Sequence, residues 1–292
     1  MTLIVVSAVL VLVMLVLLAS GLLVGASLIL VALLGLFFAD NLAPTLVFAT
    51  SAWGTTVSFG LVALPLFIWM GEILFRTRVS SDLFEGLTPW LHRIPGGLLH
   101  VNILSCGLFA AVSGSSAATA ATIGRMTLPE LNKRGYDQSL AIGSLAGSGT
   151  LGFLIPPSLI LIIYGIAAEV SIARLFLAGI LPGLVLIALF MAFVMIKSLL
   201  ARGVVTSALE KGELSKRASL KRLLPIFSLI AFIPGSIYSG LATPGEAAAI
   251  GVCGALLLAK MTGNLSWDSF IDSLMSACKT TSMSPHHEPV MT

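Results

Sequence analysis

No lysine or arginine occurs before Arg76, and residues 3–19 and 21–38 are apolar runs, each just long enough to cross a bilayer. Backbone in hydrocarbon has no water to bond, so such runs must be helices that satisfy their own amides and carbonyls. The pattern recurs almost to the end of the chain. With 57% hydrophobic and 10% charged residues and a mean hydropathy of +1.06, the 292 residues lie far from a soluble domain, in which about a quarter are charged. The expectation is an all-α polytopic membrane protein. A formal net charge of +3 is too small to point to nucleic acid, and the basic residues sit in loops where the bilayer alone accounts for them. The apolar start lacks the basic region of a cleaved signal peptide and is expected to remain as a span.

The first two runs, hinged at Ser20 and Gly21, read as a tight helical hairpin. Residues 40–58, with Asn41, Pro44 and Trp53-Gly54, suit an interfacial segment with an aromatic anchor. Residues 59–75 form a third span containing Pro65, with Glu72 near the interface one turn before Arg76. Between 76 and 95 the chain is polar and amphipathic. Asp82 followed three residues later by Glu85 resembles a capping box, and Leu83, Phe84, Leu87, Trp90 and Leu91 fall at helical spacing, predicting a helix that lies in the interface.

Residues 98–112 and 117–131 are short apolar helices separated by Ser113, Gly114, Ser115 and Ser116. Each reaches only about 22 Å at 1.5 Å per residue, short of the roughly 30 Å hydrocarbon core. That shortfall predicts a re-entrant hairpin, closed by Lys133, Arg134 and the glycine cap Gly135. A re-entrant hairpin returns to the side it came from, and both flanking loops are basic: Arg76, Arg78 and Arg93 before, Arg125, Lys133 and Arg134 after. The excess of cations makes that side cytoplasmic.

Residues 138–168 then cross outward, interrupted by Gly147, Gly149, Gly152, Pro156 and Pro157; 175–199 return to the most basic loop, 223–242 go out, and a helix from Pro244 comes back to Lys260. On this map fourteen of the sixteen Lys and Arg are cytoplasmic and the N-terminus is outside. Thr243-Pro244-Gly245-Glu246 reads as a capping box rather than a substrate carboxylate. Trp267, Phe270, Ile271, Leu274, Met275 and Cys278 mark a further interfacial amphipathic helix, and Cys106, Cys253 and Cys278 read as packing residues. His286-His287-Glu288 could hold a metal, but flanking prolines make a disordered end the plainer reading.

Two stretches stand out as places where backbone leaves the helix inside apolar sequence: 113–116, and 147–152 leading to Pro156-Pro157-Ser158. Small hydroxyls, glycines and a Pro pair also serve close helix packing, yet two such breaks joined by a basic return loop suit a binding site better. Hydroxyls, free carbonyls and helix ends without a titratable group fit a weakly charged hard cation such as Na⁺, with helix N-termini available to an anion beside it. A proton-coupled site would carry an intramembrane acid or histidine, and neither break has one. An intramembrane serine protease would need a histidine level with its serine; His100 lies about 20 Å along the helix from Ser113, and His92 is in the interfacial segment.

Pro95-Gly96-Gly97-Leu98, residues 113–124, Lys133-Arg134-Gly135-Tyr136, Ser148-Gly149-Thr150-Leu151-Gly152, Ile155-Pro156-Pro157-Ser158, Tyr164-Gly165, Leu177-Ala178-Gly179, Pro182-Gly183, Thr243-Pro244 and Glu246-Ala247-Ala248-Ala249 together resemble one family. It is the large membrane subunit of tripartite ATP-independent periplasmic (TRAP) transporters, and the likeness runs to about Met283. The resemblance implies an elevator-type secondary transporter of the bacterial inner membrane, built from inverted repeats, with no enzymatic activity and no cofactor beyond Na⁺ as coupling ion. Its partners would be a small membrane subunit, a periplasmic substrate-binding protein and a small organic anion. Family sodium ligands map onto the hydroxyls of Ser113 and Ser115 and onto backbone carbonyls around Gly152, Ile155 and Pro157, with Ser116 and Thr150 on the substrate side. The Ser-Ala-Ala-Thr run after Ser115 leans toward C4-dicarboxylates.

The expected organisation is scaffold helices in 1–76, an interfacial helix in 77–96, and a transport core in 97–199 comprising the hairpin 98–131, the broken helix 138–168 and the helix 175–199. A basic connector in 200–222, the start of a second repeat in 223–283 and a tail in 284–292 complete it. Family members carry a second hairpin and broken helix, so the chain is also expected to be a truncated form. The alternative function is a non-transporting membrane fragment that at most binds the small subunit.

Overall fold

The computed structural model describes residues 3–38, 43–200, 216–263 and 265–281, and every regular element among them is helical. Two compact units are present, Met1–Ser58 and Phe59–Thr292. In the first, α1 (Leu3–Ala19) and α2 (Val24–Phe38) pack on each other, and α3 (Pro44–Thr56) opens with a proline in its first turn. The α1–α2 turn passes through Gly21 at φ +79°, where an L side chain would be strained. Both helices are apolar on all sides and largely exposed, the pattern of a helix in contact with lipid.

The second unit begins with α4 (Phe59–Phe75), α5 (Val79–Leu91), α6 (Leu98–Ser113), α7 (Ser116–Lys133) and α8 (Gln138–Gly149). A 3₁₀ turn (Thr150–Phe153) leads to α9 (Leu159–Ala167), followed by α10 (Ile172–Leu200), α11 (Lys216–Tyr238), α12 (Pro244–Met261) and α13 (Trp267–Thr281). By length and composition α10, α11 and α12 are each able to cross a membrane. At 16 and 18 residues, α6 and α7 measure about 24 and 27 Å.

Cross-contacts show α6 and α7 to be antiparallel. Ser113 lies against Thr119 near the turn, Asn102 accepts from Thr127 farther along, and the Tyr136 hydroxyl accepts from the Leu98 amide at the open end. Asn102 is fully buried and ties three helices together: its Oδ1 accepts from Thr127 Oγ1 of α7 at 2.9 Å, and its Nδ2 donates to Ser144 Oγ of α8 at 2.9 Å. A buried amide with both ends satisfied fixes register, since sliding either neighbour strands a polar group.

Several expectations are revised. Asp82 and Glu85 do not cap α5, which begins three residues earlier at Val79 with no side-chain cap from Arg78. Both carboxylates instead face Arg222 of α11, at 3.5 and 2.5 Å from its Nη1. Lys216, in the first turn described for α11, places its Nζ 5.3 Å from the Trp90 ring, so helix precedes residue 223. Among the cysteines only Cys106 is packed; Cys253 and Cys278 are exposed. The face of α13 that meets α4 is built from Phe270, Ser273 and Ala277, with Trp69 donating to Ser273 Oγ at 3.1 Å, while Trp267, Ile271 and Met275 are exposed. The capping box at Thr243 and Glu246 is present as expected. Arg202, Lys211 and the His286-His287-Glu288 tail lie outside the described residues.

Burial holds the Asp82 carboxyl above the ordinary carboxylate range, Arg222 pulling it down and Glu85 pushing it up. Arg222→Ala will raise it further. A raised folded-state pKa means that the folded protein binds the proton more tightly, so the variant's deficit is greatest at neutral pH and shrinks as pH falls through the raised value. Because Arg222 and Glu85 are well exposed, the loss should stay under about 1 kcal/mol. Thermal unfolding in detergent from neutral to mildly acid pH checks this, with Asp82→Asn in the same background restoring most of the loss.

Candidate functional site

The turn between α6 and α7 is built by local chemistry. Gly114 adopts φ +59° and closes α6, its amide donating to Ala110 O at 3.0 Å. Ser115 is extended and caps α7, its Oγ accepting from the Ala118 amide at 3.4 Å. Thr119 then reaches back: its Oγ1 donates to Ser115 O at 2.7 Å and lies 2.8 Å from Ser113 Oγ. Ser113 is 4% exposed and Thr119 fully buried, so the Ser113 hydroxyl is held inward.

The second break has a different cause. α8 tightens into the 3₁₀ turn after Gly149, and the cis-linked Pro156-Pro157 pair, with no amide hydrogens, cannot extend it. The freed groups are recaptured locally. The Leu154 and Ile155 amides donate to Leu151 O, and buried Ser158 donates to Phe153 O at 2.9 Å.

These two breaks lie against each other. The Leu159 amide, first in α9, donates to Gly114 O at 3.4 Å. A Cβ on Gly152 would stand 2.9 Å from the Ser116 nitrogen and 3.0 Å from the Ser115 carbonyl carbon, and one on Gly114 would stand 3.0 Å from Pro157 O. Glycines from outside close the cluster. The Gly71 Cβ position on α4 is 3.1 Å from Ser113 Cα, and on α10 those of Gly179 and Gly183 are 2.5 Å from Leu154 O and 2.9 Å from Ile155 Cγ1. Real side chains at these positions would push the helices off the break.

The structure thus gathers Ser113, Ser115, Ser116, Gly152 and Pro157 into one cluster. The Ile155 side chain turns away toward Gly183 and Gly107. Thr150 is exposed, and its Oγ1 donates to Gly147 O at 2.7 Å, so its hydroxyl is spent within its own turn. Thr119 and Asn102 belong to the construction of the site, although neither stands out in sequence. A threonine four residues after a cap can reach the cap carbonyl, which is the one local signal for Thr119. Asn102 is recognised only through partners 25 and 42 residues away.

No ionisable side chain lies within 113–119 or 147–159. Four helix ends converge instead: the C-termini of α6 and α8 and the N-termini of α7 and α9. The C-termini present partial negative charge and carbonyls, the N-termini partial positive charge and amides. Such a cluster can hold a cation on oxygens and an anion on amides without a proton transfer.

Comparison with known proteins bears on the chain as a whole. Residues 11–283 match the family model for the tripartite ATP-independent periplasmic transporter, DctM component. The chain is 36% identical over 203 residues to the C4-dicarboxylate TRAP transporter large permease protein DctM of Pseudomonas aeruginosa, covering 69% of this chain and 47% of that protein. It is 39% identical over 199 residues to the ectoine TRAP transporter large permease protein TeaC of Halomonas elongata, covering 68% and 46%. To the sialic acid TRAP transporter large permease protein SiaM of Vibrio cholerae it is 34% identical over 274 residues, covering 91% and 62%. The chain therefore spans about half to three fifths of the length of these relatives.

Gly152→Ala should lower stability by about 1–3 kcal/mol, because its methyl group meets backbone rather than a yielding side chain. Gly143→Ala, in the helix that leads into this turn and with nothing within 4 Å of its Cβ position, should be neutral or stabilising by up to about 1 kcal/mol. Thermal unfolding of the two variants side by side measures the contrast; equal effects would mean that the Gly152 approach is not tight.

Proposed function

The chain belongs to the DctM component family of tripartite ATP-independent periplasmic transporters, and on that premise we propose that it carries one cation half-site of a Na⁺-coupled permease for small organic anions. The apposition of two uncharged helix breaks carries this reading. Sodium would be held by the hydroxyls of Ser113 and Ser115 and by carbonyls around Gly152, Ile155 and Pro157. Thr119 adds a buried hydroxyl at 2.8 Å from Ser113 Oγ. The substrate carboxylate would lie beside the α7 N-terminus at Ser116, with Thr150 across from it once its hydroxyl turns from Gly147.

In the same reading α6 and α7 form a re-entrant hairpin opening from the cytoplasm, because neither spans about 30 Å. The N-terminus is periplasmic, 97–199 are the transport core of an elevator, 1–76 its scaffold, and residues after 223 open a second, inverted repeat. A small membrane subunit and a periplasmic binding protein would complete the assembly. The relatives' names span C4-dicarboxylate, ectoine and sialic acid, which share a carboxylate, so the proposed cargo is the broader class of small carboxylate-bearing solutes, chiefly organic anions, with a dicarboxylate lean from residues 116–119.

An Ala117→Cys variant, exposed beside the turn and outside the proposed ligand set, with Cys106, Cys253 and Cys278 replaced, provides the test. Its modification by a thiol reagent should slow about tenfold when Na⁺ is raised to ten times its dissociation constant, and K⁺ at the same ionic strength should give no protection. Equal rates in the two salts would remove sodium from this site.

A further inference from the structure

Gly179 and Gly183 draw the first half of α10 onto the break, and at Gly147 the Phe190 ring still approaches to 3.2 Å of the Cβ position. Beyond that point the helices part. A cavity of about 930 Å³ opens between α6, α8 and the C-terminal half of α10, and a Cβ added to Gly143, which lines it, meets nothing within 4 Å. Its walls are largely apolar: of the two serines that line it, Ser144 is engaged with Asn102 and Ala141 O, and Ser139 lies beside Asp137 at the start of α8. Leu189 and Phe193 on its rim are 59% and 53% exposed, so it opens onto the outer surface of α10.

One end of the cavity carries both signs of charge. Lys197 has no salt bridge among the described residues, its Nζ standing 6.0 Å from the Phe193 ring. Asp137 shares that end, its Oδ1 accepting from the Leu140 amide and its Oδ2 without a partner among the described residues. From Leu186 to Lys197 the groove runs about 16 Å at 1.5 Å per residue, close to the roughly 15 Å hydrocarbon depth of a single leaflet. Lys197 lies one turn before the end of a helix able to cross the membrane, which is headgroup level.

We propose that this groove binds one acyl chain of an aminophospholipid from the leaflet at Lys197, with the lipid phosphate on Lys197 and its ammonium on Asp137. Depth, apolar lining and the paired charges at one mouth match such a lipid in length, polarity and headgroup. The chain would fill the space that α8 and α10 leave between them below the break. The inference rests on α10 crossing the membrane, not on sodium binding.

Native mass spectrometry of the protein taken from nanodiscs of mixed phosphatidylethanolamine and phosphatidylglycerol tests it. The unmodified chain should keep one phosphatidylethanolamine in preference to phosphatidylglycerol. Gly143→Phe, which fills the groove from open space, should keep none while its helix content and thermal unfolding stay unchanged. Lys197→Glu and Asp137→Asn, each removing one exposed charged contact, should lower retention by about fivefold. Retention by a folded Gly143→Phe variant equal to that of the unmodified chain overturns the site. Indifference to both charge variants overturns it even if Gly143→Phe fails to fold, and equal retention of the two lipids overturns the headgroup assignment.

Discussion

Backbone that leaves the helix in apolar surroundings must find its hydrogen-bond partners within the protein, because an unpaired amide or carbonyl there costs several kcal/mol. The two breaks meet that demand mostly within themselves and once across to each other. Gly114 O takes the Leu159 amide, Ser115 O takes the Thr119 hydroxyl, and Phe153 O takes Ser158 Oγ. Such exchange requires backbones closer than side chains permit, which is why Gly152, Gly114, Gly71, Gly179 and Gly183 ring the cluster. Asn102, some 11 residues down α6 from Ser113, secures the same three helices at a second level.

Ionic interactions stand apart from this cluster. The pairs of Arg76 with Glu72 and Asp272, Arg134 with Glu130, and Arg222 with Asp82 and Glu85 involve none of the residues of the two breaks. A charged side chain at membrane depth is costly, whereas helix-end dipoles deliver partial charge with no ion of their own to desolvate. The field at the break is therefore set by four helix termini and a few hydroxyls. Replacing any of them changes geometry before it changes charge.

What could be read in advance divides along the range of the interaction. The hairpin turn, the glycine cap at Gly135, the Pro156-Pro157 break and the Thr243–Glu246 box depend on neighbours within a few residues, and each lies where the sequence pattern places it. Asp82 and Glu85 misled because an acidic pair three residues apart serves a cap and an ion pair equally well, and their partner is about 140 residues away. Cys253 and Cys278 looked like packing residues because apolar helix does not reveal which face is covered. On α13 the covered face combines Ser273 and Ala277 with Phe270, whose ring packs on Trp69 of α4. Asn102 stays hidden for the same reason as Arg222, its partners being supplied only by the tertiary fold, whereas Thr119 bonds Ser115 O and Ser113 within its own turn.

The same contacts bear on how such a site could move. Pulling the α6–α7 tip away from the 3₁₀ turn would strand Gly114 O and the Leu159 amide together, and lifting α10 would uncover Leu154 O at Gly179. Each separation gives up backbone contact that apolar surroundings cannot replace, so the packing of hairpin tip, 3₁₀ turn and the first half of α10 resists parting. The C-terminal half of α10 is under no such constraint, because the space between it and α8 is apolar and contains no backbone exchange. Within this unit the packing is therefore tightest where the two breaks meet and loosest along that groove, so a rearrangement that spares the breaks costs least there.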